Sequence, residues 1–267
     1  MKDSNNEFAK KCETVFNENE LQRYQRQMMI FDRDGQERLK QSRVFIAGAG
    51  GLGCPIALYL AAAGVGHIYI ADKDVIEQTN LNRQVLHWEK DVGRTKASSI
   101  EEKLREINPY INVIAQSLTI DEKNIMDLAK DADVIVDAMD SYNIRYLLNQ
   151  AALRAGVPLV HGAIRGFDGQ VTTVIPGKTA CLKCIFTLAP PQEIFPVIGV
   201  APGIIGLIQA NEVIKCLLRI GEPLANRLLV WDGLNANMET FTVKRRDNCE
   251  ACGDMSDLTK EIGESCK

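Results

Sequence analysis

The chain has 267 residues, 46% of them hydrophobic, with 31 Lys plus Arg against 35 Asp plus Glu and a net charge of −4. Such a chain can bury one substantial core. Its acidic balance and scattered basic residues, with only the short run Lys244-Arg245-Arg246, argue against a nucleic-acid partner. No stretch approaches the roughly 20 apolar residues of a membrane span, and the polar start MKDSNNEFAKKCETVFNENE lacks the apolar core of a signal peptide. A soluble cytoplasmic protein with no membrane partner is expected.

Residues 1–19 read as a flexible leader, followed by short helices over Leu21–Met29 and Gln36–Lys40. The segment Val44–Gly53, VFIAGAGGLG, is a buried strand running into a glycine loop. Cys54–Ala63 is a small-residue helix ended by Gly64, and His67–Ala71 is a second apolar strand ending at Asp72. Ala97–Ile107 is an amphipathic helix stopped before Pro109. Strands follow at Asn112–Leu118 and Val134–Ala138, then a helix Ile144–Ala155 closed by Gly156. This alternation predicts a parallel sheet with helices on both faces.

Beyond Pro158 the pattern changes. Leu159–Ala163, Gln170–Ile175, Leu228–Asp232 and Glu239–Lys244 read as strands separated by turns such as Phe167-Asp168-Gly169, an antiparallel or mixed extension of the sheet. Gly203–Ile220 is a long apolar helix, buried or at a subunit interface. Residues 188–202, with Pro190, Pro191, Pro196 and Pro202, form a crossover expected to be non-helical, and 254–267 is a polar tail. The expected fold is α/β: a Rossmann-like, mostly parallel sheet extended by antiparallel strands, in one domain over residues 20–253. Its nucleotide-binding half covers about 42–156 and its second half about 157–253.

Gly48-x-Gly50-x-x-Gly53, with Gly51 inside it, lies between a strand and a helix and predicts a phosphate-binding turn. Asp72 at the next strand end suits ribose hydroxyls, with a loop-cap carboxylate as the alternative. A pyrophosphate bridge is already served by backbone N–H groups at a helix N-terminus. The segment Asn80-Leu81-Asn82-Arg83-Gln84 and Lys96 add more cationic and amide donors than a dinucleotide needs. Each alone would be an ordinary surface residue; beside the loop they point to a triphosphate and to group transfer. Asp137 and Asp140 follow the strand at the sheet edge where ligands of such folds bind, and Asp140, in the loop, is the better candidate for Mg²⁺. Its alternative role is to cap the helix Asn143–Arg154. His67, His87 and His161 are too scattered to make a site, and His161 reads as a satisfied core residue. There is no Gly-x-Ser-x-Gly elbow and no His-Glu-x-x-His.

Four of the eight cysteines form two Cys-x-x-Cys pairs, Cys181/Cys184 and Cys249/Cys252, the spacing of a structural four-thiolate Zn²⁺ site. Redox-active or disulfide pairs are the alternative. Four thiolates around Zn²⁺ carry about −2 locally, which Lys183 and Arg245-Arg246 are placed to offset.

Together these residues resemble the ThiF/MoeB/HesA family, relatives of ubiquitin-activating enzymes. The resemblance runs from about Leu21 to Gly253. It rests on Arg23-Tyr24-Gln25-Arg26-Gln27, Gly48–Gly53, Asp72-Lys73-Asp74, Asn80–Gln84, Gly93-Arg94-Thr95-Lys96, Asp137–Asp140 and both cysteine pairs. It implies adenylation of the C-terminal glycine of a small ubiquitin-like carrier protein ending in Gly-Gly, usually a sulfur carrier, bound by the half over 157–253. ATP would lie over Gly48, Gly50, Gly51 and Gly53 with its ribose on Asp72. Asn80, Arg83, Gln84 and Lys96 would gather the phosphates, and Asp140 would hold Mg²⁺. Arg26 matches a residue that family dimers insert into the partner's ATP site, which implies a homodimer; a sulfur-donor protein is a further implied partner.

One departure is visible. Family members that form thioesters or persulfides carry a Cys in the crossover. Here Glu193-Ile194-Phe195-Pro196-Val197-Ile198-Gly199 has none, nor does any position between Cys184 and Cys216. Cys216 reads as inert core, and Cys54 as a packed small residue, with a low-pKa thiol at the helix start as its alternative. Adenylation without a covalent enzyme–carrier intermediate is therefore expected. The competing readings are adenylation of another carboxylate, such as a peptide or cofactor precursor, and a non-catalytic binding module. An NAD-dependent oxidoreductase would explain neither Arg83 nor the cysteine pairs.

Overall fold

The computed structural model describes residues 16–188 and 195–253. Helix α1 (Glu18–Gln41) joins the two expected short helices across a kink at Phe31 and Asp32, where Asp32 takes φ 56°. Asn17 caps it, its side chain accepting from Glu20 N at 2.9 Å. Lys40 Nζ reaches back to both Glu20 carboxylate oxygens at 2.7 and 2.6 Å, closing the kinked helix on itself over the buried Phe16. Residues 16–19, expected to belong to the leader, are thus part of the fold; residues 1–15 and the tail 254–267 lie outside the described residues.

Strand β1 (Arg43–Ala47) is buried from Val44 onward, as a strand covered on both faces must be. Then come α2 (Gly53–Ala63), β2 (His67–Ala71), α3 (Lys96–Ile107), β3 (Asn112–Gln116), the unexpected short α4 (Ile125–Ala129), β4 (Val134–Asp137) and α5 (Tyr142–Ala155). The second half holds β5 (Leu159–Arg165), β6 (Asp168–Val174), α6 (Leu182–Ile185), α7 (Val200–Leu218), β7 (Arg227–Asp232) and β8 (Asn237–Thr242).

The eight strands form one sheet in the order β3-β2-β1-β4-β5-β6-β7-β8. Pairings from β3 to β5 are parallel and those from β5 to β8 antiparallel. One core layer packs α2, α3 and α7 against the sheet; the opposite layer holds α4, α5, α6 and all four paired cysteines. The open edge at β3 is capped by its own crossover helix: Glu101 accepts from Ala115 N at 2.7 Å and Arg105 donates to Val113 O at 3.0 Å.

Helix α7 corrects two expectations. It starts at Val200, so the end of the crossover is helical after all. Pro202 is tolerated there because a first-turn N–H has no intrahelical acceptor to lose. The helix is also long and apolar enough to cross a membrane, contrary to the reading of the sequence, but half of it is buried inside the fold against α2, β4, β5 and β6.

Candidate functional site

The chain leaves β1 for β2 on one side and returns through β4 on the other, so a crevice opens at the carboxyl ends of β1 and β4, the switch point of the sheet. The glycine loop fills that crevice. Gly48 has φ +103°, and a Cβ there would lie 2.7 Å from Ala138 O. A Cβ on Gly53 would strike the Gly48 carbonyl. These two glycines are fixed by backbone packing alone. Gly50 is different: a Cβ would meet nothing nearer than Gln84 Nε2 at 3.6 Å, so its bareness leaves room in front of the helix N-terminus.

Two side chains hold the peptide inside this loop. Asp72 Oδ2 accepts from Ala49 N at 2.7 Å, and its Oδ1 accepts from Asp74 N at 2.8 Å. Each carboxylate oxygen keeps a free lone pair, so the loop-cap and ribose readings of Asp72 are compatible. His87 Nε2 lies 2.9 Å from Ala49 O, which can only accept, so Nε2 carries the proton. Nδ1 then accepts from Ser99 Oγ at 3.0 Å, and Ser99 Oγ accepts from Lys103 Nζ at 2.7 Å. Burial holds His87 below the usual imidazole range, in keeping with this neutral tautomer. Lys103 ends the chain on Asp91 Oδ2 at 2.5 Å, both groups being inside the fold.

Burial opposes the charge on Asp91, but hydrogen bonds from Lys103 Nζ and Trp88 N outweigh it and hold the carboxyl at about 2. Depression from the ordinary 3.8 means this contribution is complete above about pH 4 and lost as pH falls toward 2. Lys103→Met would leave the carboxylate buried and stripped of its main partner. The expected cost is about 3–5 kcal/mol, read as a lower urea midpoint at neutral pH. An unchanged midpoint would show that the pair is dispensable.

The Asn80–Gln84 segment wraps the other side of the glycine loop. Asn80 is buried and folds the turn, its Oδ1 accepting from Glu77 N at 3.1 Å. Arg83 Nη1 donates to Thr79 O at 2.8 Å and Asn82 Oδ1 at 3.0 Å, and its Cγ sits 3.7 Å from the Cβ position of Gly51. Gln84 is buried beside Gly50 with Oε1 lacking a partner among the described residues. Lys96 Nζ pairs with Asp74 Oδ2 at 2.7 Å, a half-exposed carboxylate that an incoming phosphate could displace. The N-terminus of α7, unforeseen in the sequence, closes the group: Gly199 packs on the Asn82 carbonyl and Pro202 on Gly51.

Ala138 and Met139 flank the glycine loop on the β4 side, so the chain reaches Asp140 directly from it. Asp140 is exposed and has neither a hydrogen bond nor an ion pair among the described residues. Asp137 is buried and already engaged by His161 Nδ1 at 2.7 Å and Met139 N at 3.0 Å. His161 is thus only half satisfied, because its buried Nε2 has no partner among the described residues. Arg26 stands apart, exposed on α1 and without hydrogen bond or ion pair among the described residues.

The four paired cysteines meet at the far side of the second layer, their Sγ atoms all within 4.8 Å of one another. Three of the separations are 3.9, 3.7 and 3.5 Å. A tetrahedral ion with Zn–S bonds of ~2.3 Å requires sulfurs ~3.8 Å apart, so the set fits. Arg245 Nη2 donates to Cys252 O, Arg246 Nη2 donates to Lys183 O at 3.0 Å, and Arg246 N points at Cys184 Sγ at 3.4 Å. Lys183 turns instead to Glu250 at 2.7 Å. Elsewhere burial pushes the Cys54 thiol up to about 12 and Cys216 to about 11, so neither is a thiolate at neutral pH and the low-pKa alternative for Cys54 falls. Glu193 and Ile194 of the crossover lie outside the described residues.

The ThiF family model matches residues 24–251. A sulfur carrier protein adenylyltransferase of Thermus thermophilus is 42% identical over 248 residues, spanning 88% of this chain and 92% of the relative. The SAMP-activating enzyme E1 of Haloferax volcanii is 42% identical over 243 residues, spanning 88% and 90%. An adenylyltransferase and sulfurtransferase MOCS3 of Culex quinquefasciatus is 40% identical over 264 residues, 96% of this chain and 60% of that longer one. Among solved structures, E. coli MccB with ATP superposes with a TM-score of 0.78 at 26% identity, covering 87% of this chain and 75% of MccB.

Proposed function

The chain belongs to the ThiF family and is an adenylyltransferase, and we propose that it uses ATP to activate the C-terminal glycine carboxylate of a small ubiquitin-like sulfur carrier. The observation that carries this reading is the convergence at the switch point. The glycine loop lies between Arg83 and Gln84 on one side and the approach to Asp140 on the other. ATP is the substrate this crevice suits. Triphosphate oxygens would occupy the room in front of Gly50, where Gln84 offers an amide and Lys96 and Arg83 offer charge.

No general base is needed. A C-terminal carboxyl has a pKa of about 3.5, so the nucleophile is already ionised at neutral pH. Its oxygen attacks the α-phosphorus, the bond from that phosphorus to the α,β-bridging oxygen breaks, and pyrophosphate leaves with the electron pair. The acyl-adenylate remains. The difficulty is bringing an anion to a polyanion, so the residues that matter are cations held where charge accumulates. Arg83 and Lys96 serve from within the chain. Asp140, an exposed carboxylate with no competing partner among the described residues, has the hard oxygen donors Mg²⁺ prefers; when bound, Mg²⁺ would neutralise phosphate charge. Four sulfurs at tetrahedral spacing suit Zn²⁺ as a closed structural staple.

Gln27, next to Arg26, donates to Ala63 O at the end of α2 remote from the glycine loop, so Arg26 stands away from its own crevice, and the neighbouring Met29 and Ile30 are 83% and 78% exposed. A homodimer that covers this apolar ledge and carries Arg26 into the partner's crevice accounts for both. No cysteine stands in the crossover and burial keeps the Cys54 and Cys216 thiols protonated; Cys12 and Cys266 lie outside the described residues. On this reading the adenylate passes to a sulfur donor without an enzyme–carrier thioester or disulfide. A reducible enzyme–carrier adduct in a non-reducing gel would overturn that last point.

The test is ATP–pyrophosphate exchange with a carrier ending in Gly-Gly. Exchange should appear with the intact carrier and vanish when its last two residues are deleted. Equal stimulation by the deleted form would mean that a different carboxylate is the substrate.

A further inference from the structure

Asp140 has no partner among the described residues, yet the residue before it is held at every polar backbone atom. Met139 N donates to Asp137 Oδ1 at 3.0 Å, and Met139 O accepts from Arg145 Nε at 3.1 Å and Nη2 at 2.7 Å. Ala138 N is spent on Ala47 O at 3.0 Å. Behind them, Asp137 Oδ2 takes the Nδ1 proton of His161 at 2.7 Å and lies 3.7 Å from Arg145 Nε. Asp137, Arg145 and His161 are all buried, and Arg145 is stacked over the Tyr142 ring at 4.9 Å. Gln209 of α7 fixes the strand end from the other side, its Nε2 donating to Asp137 O at 2.8 Å.

Burying a carboxylate, a guanidinium and an imidazole behind one turn is a poor way to gain stability, since apolar side chains of similar volume do as well or better. What these groups deliver is geometry. Two guanidinium nitrogens on a single carbonyl, and a carboxylate on the N–H of the same residue, fix the Met139 peptides and with them the direction in which Asp140 leaves the backbone.

We propose that Arg145, backed by the Asp137–His161 pair, is a positioning residue that sets the Asp140 carboxylate for the divalent cation of the adenylation reaction. This rests on the reading that Asp140 acts at the triphosphate. Arg145 itself reaches Met139 O and not the substrate. The signature is therefore a weakened cation site with ATP binding largely kept, together with rescue by a side chain that restores the lost donor. Asn at position 161 can place an amide N–H near the Nδ1 position, whereas Leu cannot.

The experiment uses the full chain with its metal content verified, in five variants: Asp140→Asn, Arg145→Met, Arg145→Lys, His161→Leu and His161→Asn. Each is measured for kcat and KM for ATP in carrier-dependent exchange, and for Mn²⁺ affinity by electron paramagnetic resonance with a non-hydrolysable ATP analogue. By analogy with the partners that orient metal ligands, Arg145→Met and His161→Leu should lose about 10–100-fold in kcat and in Mn²⁺ affinity, with KM for ATP changed less than about threefold. His161→Asn should recover most of the loss seen with His161→Leu. Should Arg145→Met not fold, Arg145→Lys decides, because one ammonium cannot reproduce the two-nitrogen grip on the carbonyl. Folded Arg145→Lys and His161→Leu proteins with wild-type kcat and Mn²⁺ affinity would overturn the proposal. If Asp140→Asn is also fully active, the reading of Asp140 itself has failed; if Asp140→Asn alone is inactive, only the positioning role has.

Discussion

Arg83→Ala is expected to lower kcat for carrier-dependent ATP–pyrophosphate exchange by about 10²–10³-fold, a loss of ~2.7–4 kcal/mol of transition-state stabilisation, as when one oxyanion-hole donor is removed. The residue is suited to so large an effect by how it is held. Thr79 O and Asn82 Oδ1 take two of its five donors and aim the guanidinium, leaving the rest for a ligand. Its stem lies against Gly51, so the side chain is ordered before ATP arrives and little freedom is lost on binding. Arg83→Lys should rescue only part of the activity, since a single ammonium cannot both keep those contacts and face the phosphates. The same variant tests the dimer. Mixing Arg83→Ala with Arg26→Ala protein and letting subunits exchange should restore about a quarter of the wild-type sites, because each mixed dimer contains one intact crevice. No recovery on mixing would mean that Arg26 acts within its own chain or not at all. Unchanged kcat in Arg83→Ala would remove Arg83 from the chemistry.

How much of this could be read from the residues alone depended on range. The strand–helix alternation up to Gly156 needs only local pattern, and β1, β2, α2, α3 and α5 lie within a few residues of their expected limits. The kink in α1 is also visible, as a gap between two helices, and Phe31 and Asp32 break the helical backbone in that gap. Groups that meet only through the fold were not visible. Asp137 and His161 look unrelated in sequence, yet the β4–β5 register sets them side by side. His87, Ser99, Lys103 and Asp91 carry no motif; they become a relay because a loop and α3 close over the glycine turn. The start of α7 was hidden for another reason. Four prolines argue against helix in general, but the last of them falls in a first turn, where the argument does not apply. Short side-chain spacing was the most informative signal of all: two Cys-x-x-Cys turns remote in sequence fold into one cluster.

That cluster yields the second large effect. Removing the metal with a strong chelator, or changing Cys249 to Ser, should lower the thermal midpoint by roughly 8–16 °C at about 2–4 °C per kcal/mol for a chain of this size. A bound ion would act as a crosslink. Joining Cys181 and Cys184 to Cys249 and Cys252 closes the long loop 185–248, and closing a loop of that length removes about 4 kcal/mol of unfolded-chain entropy on the disulfide model. Loss of the ion also releases four sulfurs from the core of the second layer, where the cysteines pack among Leu159, Val174 and Leu182. The turn 249–252 would lose its anchor, and with it the stretch that follows β8. The crevice at β1 and β4 is built by the first half and by α7, which packs in the core layer opposite the cysteines, so ATP binding should survive at temperatures below the new midpoint while carrier-stimulated exchange declines. Calorimetry of the chelated protein, with zinc measured per chain before and after, decides the matter. A chain purified with no zinc, or a midpoint that does not move when zinc is removed, would mean that the four thiols hold the fold without an ion.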